Sequence, residues 1–151
     1  MSEKKVILEI GCGEARVFAN SIALDARKTS VVTVVADARR LPFKDECVDY
    51  IYSSHTIEHI SHMEVEMVLR EWMRVLIPGG KIELRCPDLR ARALFFCLHP
   101  SKRDIENIYG GQDYPENCHR SGFSYGLLRS LLNNIGIKDI RRIYDGYKGI
   151  P

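Results

Sequence analysis

The chain has 151 residues, enough for one domain with a sizeable core, and its apolar (45%) and charged (28%) fractions are those of an ordinary globular protein. A formal net charge of +2 argues against nucleic acid as a partner, and Lys138, Arg141, Arg142 and Lys148 near the end read as a solvated basic face. No apolar stretch has membrane-spanning length, residues 6–10 are too short for a signal peptide, and five cysteines without a C-x-x-C pair suggest reduced thiols in a cytoplasmic protein.

Val6, Ile7, Leu8 and Ile10 run into Gly11-Cys12-Gly13, with the acid Glu9 just before the first glycine. That is the pattern of a buried strand followed by a turn where a ligand can approach the main chain. Residues 14–20 are short and end in a turn-former. Ser21–Leu24 then reads as a second strand ending at Asp25. A nucleotide-binding unit of the doubly wound type has a full helix between these strands, with the acid about twenty residues beyond the glycine. Here Asp25 follows too soon, so the first crossover helix is expected to be shortened or absent. Val31–Val35 is β-branched throughout and predicts a strand buried on both faces, with Asp37 soon after it. Residues 39–43 form a loop around Pro42, and Cys47–Ser53 is the next strand.

Ser61 and Glu64 have capping-box spacing, which predicts a helix from about His62 to Leu76. Val65, Val68, Leu69, Trp72 and Val75 or Leu76 form its apolar face, Glu66 can pair with Arg70, and Pro78-Gly79-Gly80 ends it. Lys81–Arg85 predicts a strand, and residues 88–98 a helix whose apolar side holds Leu89, Ala93, Leu94, Phe96 and Cys97. Residues 99–123 read as a long irregular loop. Ser124 caps a last helix carrying Leu127, Leu128, Leu131 and Ile135, with Gly136 at its C′ position, and Ile137–Tyr144 is the expected final strand. Alternating strands and helices make the fold class α/β with a mostly parallel, Rossmann-like sheet.

In such a sheet ligands bind at the carboxyl ends of the strands. Those ends are Gly11–Gly13, Asp25, Asp37, Ser53–His55 and Cys86–Asp88. An acid at the second strand's end suits a ribose diol, and a second acid suits an exocyclic amine such as that of adenine.

With these features the chain resembles the class I S-adenosylmethionine-dependent methyltransferases, in their small type 11 branch. The resemblance rests on EIGCG (9–13), Asp25, DARRLPF (37–43), VDYIYSSH (48–55), TIEHI (56–60) and REWMRVLIPGGKIELRCPD (70–88). IYGGQ (108–112) and HRSGFS (119–124) are similar to predicted methyltransferases associated with cell-surface polysaccharide genes. The resemblance implies S-adenosylmethionine as cofactor, in a single domain spanning 1–151. Glu9, Gly11, Cys12 and Gly13 would line the turn under its methionine part, with Arg16 as a partner for its carboxylate. Asp25 would hold the ribose, Asp37 and the backbone of Ala38 the adenine, and Ser54 and His55 would lie beside the methyl group. The acceptor would be a small molecule or glycan precursor, and His55 and His119 are the candidate bases for it. No metal ligand set is implied. Two departures stand out: Ala15 replaces an expected glycine, and the family's seventh strand would have to follow Tyr144, which leaves a sheet edge for a second copy of the chain to cover.

Three other readings compete. His55-Thr56-Ile57-Glu58-His59 matches the H-x-x-E-H pattern of inverted zinc peptidases, but that chemistry needs both histidines on one helical face, and these residues sit in the turn between a strand and the Ser61 cap. On that view Glu58 and His59 fix the turn by local hydrogen bonds. A nicotinamide dehydrogenase would want a third glycine. A protein that binds the cofactor without catalysis, or supports a partner subunit, would fit the abbreviated first crossover.

Overall fold

The computed structural model describes residues 5–143. Five strands form one parallel sheet: β1 (Ile7–Ile10), β2 (Ile22–Asp25), β3 (Val34–Val35), β4 (Val48–Ser54) and β5 (Leu76–Arg85), in the order β3-β2-β1-β4-β5. This is the doubly wound order, and its topological switch point lies between β1 and β4. Register pairs Leu8 with Ile22 on one side and with Ile51 on the other, so the apolar positions of the central strands share a face.

That face holds the core. Helix α1 (Val65–Val75) lays Val65, Val68, Leu69, Trp72 and Val75 onto Leu8, Ile10, Leu24 and Ile51, all buried. The expected stripe is therefore the observed one, and Trp72 also donates its indole N–H to Ala38 O at 2.8 Å. The start of α1 differs from expectation. Glu64 occupies the N-cap with no side-chain cap bond, because Ser61–Glu64 forms a separate turn in which Ser61 O accepts from Glu64 N and Val65 N. Glu66 and Arg70 pair at 2.7 Å as expected. Helix α1 passes at Leu76 straight into β5, so the chain has left the helix before Pro78 is reached.

The opposite face carries Glu9, Ala23, Tyr50, Tyr52, Lys81 and Glu83. The two crossovers that would lay helices on it, residues 11–21 and 26–33, contain none. Phe18 closes part of it instead, with its ring edge-on to Tyr50 and Tyr52 at 5.8 and 5.5 Å. β3 is a correction: only Val34 and Val35 pair, and Val35 is 55% exposed, so this is an open edge strand and not one buried on both faces.

Beyond β5, helix α2 (Leu89–Leu98) begins where expected, at an Asp88 N-cap, yet buries none of its residues fully. The region read as a loop contains a helix, α3 (Lys102–Tyr109), capped by Ser101 and packed against α2. Helix α4 (Tyr125–Asn134) has the Ser124 cap, and Gly136 follows with φ of 99°. Its buried contact is Leu132, whereas Leu127 faces out. The final strand is also a correction: residues 137–143 are in no strand, and Tyr144 lies outside the described residues. Among the described residues no helix is long and apolar enough to cross a membrane.

Candidate active site

The turn after β1 is shaped by what it must clear. Gly11 has φ of 73°, and a Cβ there would sit 2.0 Å from Thr56 Oγ1. Thr56 in turn donates to Ile10 O at 3.1 Å, tying the end of β1 to the residues after β4 across the switch point. Only glycine combines the left-handed conformation with that approach. Beside it lies a cavity of about 210 Å³ lined by Glu9, Ile10, Gly11, Cys12, Ala15, Val17, Tyr52 and Ser54. It is smaller than the ~300–1,000 Å³ of a whole ligand cleft, so it can wall only one end of a nucleotide-sized molecule.

Glu9 explains how the chain crosses from β1 to β2 without a helix. Its side chain is buried and accepts from Val17 N (2.9 Å), Phe18 N (2.8 Å) and the Ser21 hydroxyl. Those donors would otherwise be satisfied inside a helix. Arg16 turns into the same loop: Nη1 and Nη2 donate to Ala19 O and Ser21 O, while its Nε is buried without a partner. Its guanidinium is thus largely engaged with the loop backbone. The Cys12 thiol is pushed up, first by burial and then by Asp25 and Glu9.

Asp25 accepts from Gly13 N at 2.9 Å through Oδ2 and from Arg27 N at 2.9 Å through Oδ1. Each oxygen keeps a second lone pair, so a diol can still be received. Arg27 stacks on the Tyr114 ring at 4.4 Å, a contact between this strand end and the 99–123 region that no spacing in the sequence signals. Asp37 is held by Arg39, whose guanidinium reaches it at 2.7 Å; that hydrogen bond is the main reason its carboxyl lies below the usual range. Ala38 is anchored through the Trp72 bond already described. Asp25, Asp37 and Ala38 line the same end of the sheet as the cavity but not its wall.

The two candidate bases converge on Glu58. β4 ends at Ser54, and His55 follows with φ of 53°, its ring exposed and its Nδ1 3.1 Å from Glu58 Oε1. That hydrogen bond raises the His55 pKa above its ordinary value. Glu58 and His59 sit in a single 3₁₀ turn, Ile57–His59. Glu58 is 1% exposed, and its Oε2 has no partner. His119 arrives from the far side of α3: its backbone N–H donates to Tyr109 O, while Arg120 N and Ser121 N donate to Glu58 O. Burial lowers its pKa, which favours neutral imidazole at pH 7. The His59 and His119 rings meet edge-on at 5.0 Å. So His55 and Glu58 do bond locally, but the His59 ring bonds Cys118 O, a long-range contact, and only its backbone N–H bonds its own turn, at Thr56 O.

Comparison with known proteins bears on this geometry. Residues 14–84 match the methyltransferase domain family of type 11. The matched segment runs from the turn after β1 into β5. The methyltransferase GfsG of Streptomyces halstedii is 31% identical over 99 residues, which cover 58% of this chain and 33% of that protein. The sterol 4-C-methyltransferase strm-1 of Caenorhabditis elegans is 28% identical over 104 residues, covering 54% of this chain and 30% of that one. The chain thus spans about a third of the length of these relatives. An S-adenosylmethionine-dependent methyltransferase of Archaeoglobus fulgidus shares the fold with a TM-score of 0.59 at 18% identity, over 89% of this chain and 62% of that one. A methyltransferase of Haloferax volcanii, solved in complex with its Trm112 activator, aligns with the same score at 16% identity, over 87% of this chain and 61% of that one. Both structural likenesses concern the fold alone.

Proposed function

We propose that the chain transfers a methyl group from S-adenosylmethionine to a hydroxyl or amine of a small acceptor, with a sugar or glycan precursor as the first candidate. The observation that carries the reading is the cavity at the switch point, walled by Glu9, Gly11, Cys12 and Ser54, with Asp25 bonded to the same glycine turn. S-adenosylmethionine, when bound, supplies a methyl group on a sulfonium that is already a good leaving group. This chain's own work is then to orient and to move a proton. Gly11 and Gly13 expose backbone to the amino-acid end, and Asp25 and Asp37 are placed for ribose and adenine. Bringing an acceptor into line can remove roughly 7–11 kcal/mol of barrier. His55, at the lip of β4, is placed to take the acceptor's proton, an effect of about 10²–10⁴-fold, while Glu58 orients its ring. The five unpaired thiols suit a reducing compartment. The curated relatives do not name one common acceptor, so the glycan preference rests on the IYGGQ and HRSGFS resemblance.

Calorimetric titration with S-adenosylhomocysteine tests the reading, with NAD as the control. One equivalent of S-adenosylhomocysteine and no NAD is the expected result; folded protein that ignores S-adenosylhomocysteine sinks it. Asp25→Ala should weaken that binding at least about tenfold with the fold retained, since it removes a charged hydrogen-bond acceptor.

A second reading has a specific observation behind it. The two crossovers without helices leave one sheet face closed by loops, with Phe18 edge-on to Tyr50 and Tyr52, as would suit a cofactor-binding subunit that works with a partner chain or a second copy. Binding of S-adenosylhomocysteine without methylation across a broad acceptor screen would favour it.

A further inference from the structure

We infer that Glu58, His59 and His119 form a binding site for a divalent transition-metal ion, zinc in the first instance. Each residue offers one ligand atom, and these atoms lie within 4.8 Å of one another. The residues are sixty positions apart in the chain, and the backbone is clamped to bring them together: Arg120 N and Ser121 N donate to Glu58 O, and the Ser121 hydroxyl reaches Ile57 O at 3.2 Å.

Three details point to an ion rather than to a closed hydrogen-bond network. Glu58 Oε2 is buried and has no partner, an expensive arrangement for a carboxyl oxygen unless something charged completes it. His59 Nδ1 lies 3.1 Å from Cys118 O, and His119 Nδ1 lies 3.2 Å from Ile108 O. A carbonyl only accepts, so in both rings Nδ1 carries the hydrogen and Nε2 carries the free lone pair. Metal-bound histidines are oriented in this way, by giving their other N–H to a carbonyl. Two imidazoles and one carboxylate, with a coordination position left over, are the donor set of open zinc sites. An ion about 2.0–2.2 Å from each donor would draw them to about 3.4 Å apart.

The sequence pattern H-x-x-E-H misdirects here. It pairs His55 with His59, whereas the fold pairs His59 with His119 and leaves His55 as the outer hydrogen-bond partner of Glu58. The remaining coordination position would take water or, on the methyltransferase reading, an acceptor oxygen.

The test uses the full chain and Co²⁺ as a visible probe, with zinc chloride in competition. One equivalent should bind with a ligand-field spectrum lacking a thiolate charge-transfer band, which separates this site from the cysteines, and zinc should displace it. His59→Ala and His119→Ala should each weaken binding at least about tenfold, with S-adenosylhomocysteine binding and the far-UV spectrum kept. If His119→Ala fails to fold, His119→Gln preserves a donor for Ile108 O and replaces it. His55→Ala should change affinity less than threefold. No stoichiometric binding, a thiolate band, or affinity untouched by both ligand variants overturns the assignment. S-adenosylhomocysteine titrated into the same samples keeps the two readings apart: loss of one with the other intact identifies which has failed.

Discussion

The two faces of the sheet follow different rules. One is built by burial: Leu8, Ile10, Leu24 and Ile51 meet the α1 stripe, and Trp72 is wholly inside. The other is built by hydrogen bonds and ring edges. Glu9 holds the crossover loop, Tyr50 donates to Glu83 at 2.6 Å, and Phe18 lies against Tyr50 and Tyr52. On the first face lost volume is the larger cost; on the second it is an unmatched polar atom.

That contrast can be tested, the largest effect first. Trp72→Ala should cost about 3–5 kcal/mol in urea unfolding, because it deletes a fully buried ring and its bond to Ala38 O. A loss below 1 kcal/mol would mean that α1 does not anchor the core. Glu9→Gln should cost about 1–3 kcal/mol, since an amide NH₂ would then face a backbone N–H, and S-adenosylhomocysteine affinity should fall with it. Tyr50→Phe should cost only about 0.5–1.5 kcal/mol by the same measurement. A larger loss would show that the second face is cooperative with the core.

His55 should have the smallest effect on stability, its ring being exposed, but a readable one in pH. Its folded pKa is raised, so its bond to Glu58 contributes in full below the unfolded value of about 6.5 and is lost as pH rises through the folded value. Proton NMR should place its midpoint above that of a free histidine, and Glu58→Gln should bring it back down. An unmoved midpoint would remove Glu58 as the partner of His55.

The parts legible in the sequence are those with one-dimensional signals. The strand-glycine turn at 6–13, the early acid at Asp25 and the 3–4 stripe of α1 each carry their own period or punctuation. Helix α3 hid because its apolar stripe, Ile105, Ile108 and Tyr109, is short and lies in a stretch rich in Pro, Gly and Asn. Its signal was the cap, Ser101 with an acid at Asp104, which reads as a helix start once polarity is set aside. β3 misled because β-branched composition reports strand preference and not depth, and Val35 sits at an edge. Four of the eight cavity-lining residues, Glu9, Gly11, Cys12 and Ser54, were visible at the strand ends. The partnership of His119 with Glu58 and His59 was not, because only the packing of α3 and the return at Gly110 bring them together.

The crossover held by Glu9 also sets a timescale. Val17 and Phe18 amides are protected by one carboxylate rather than by a helical ladder. Their hydrogen exchange should therefore proceed as a small local opening, faster than that of Leu8 or Ile51 and at nearly one common rate. Widely different rates for the two amides would break that pairing. A single side chain then governs how often this wall of the cavity stands open.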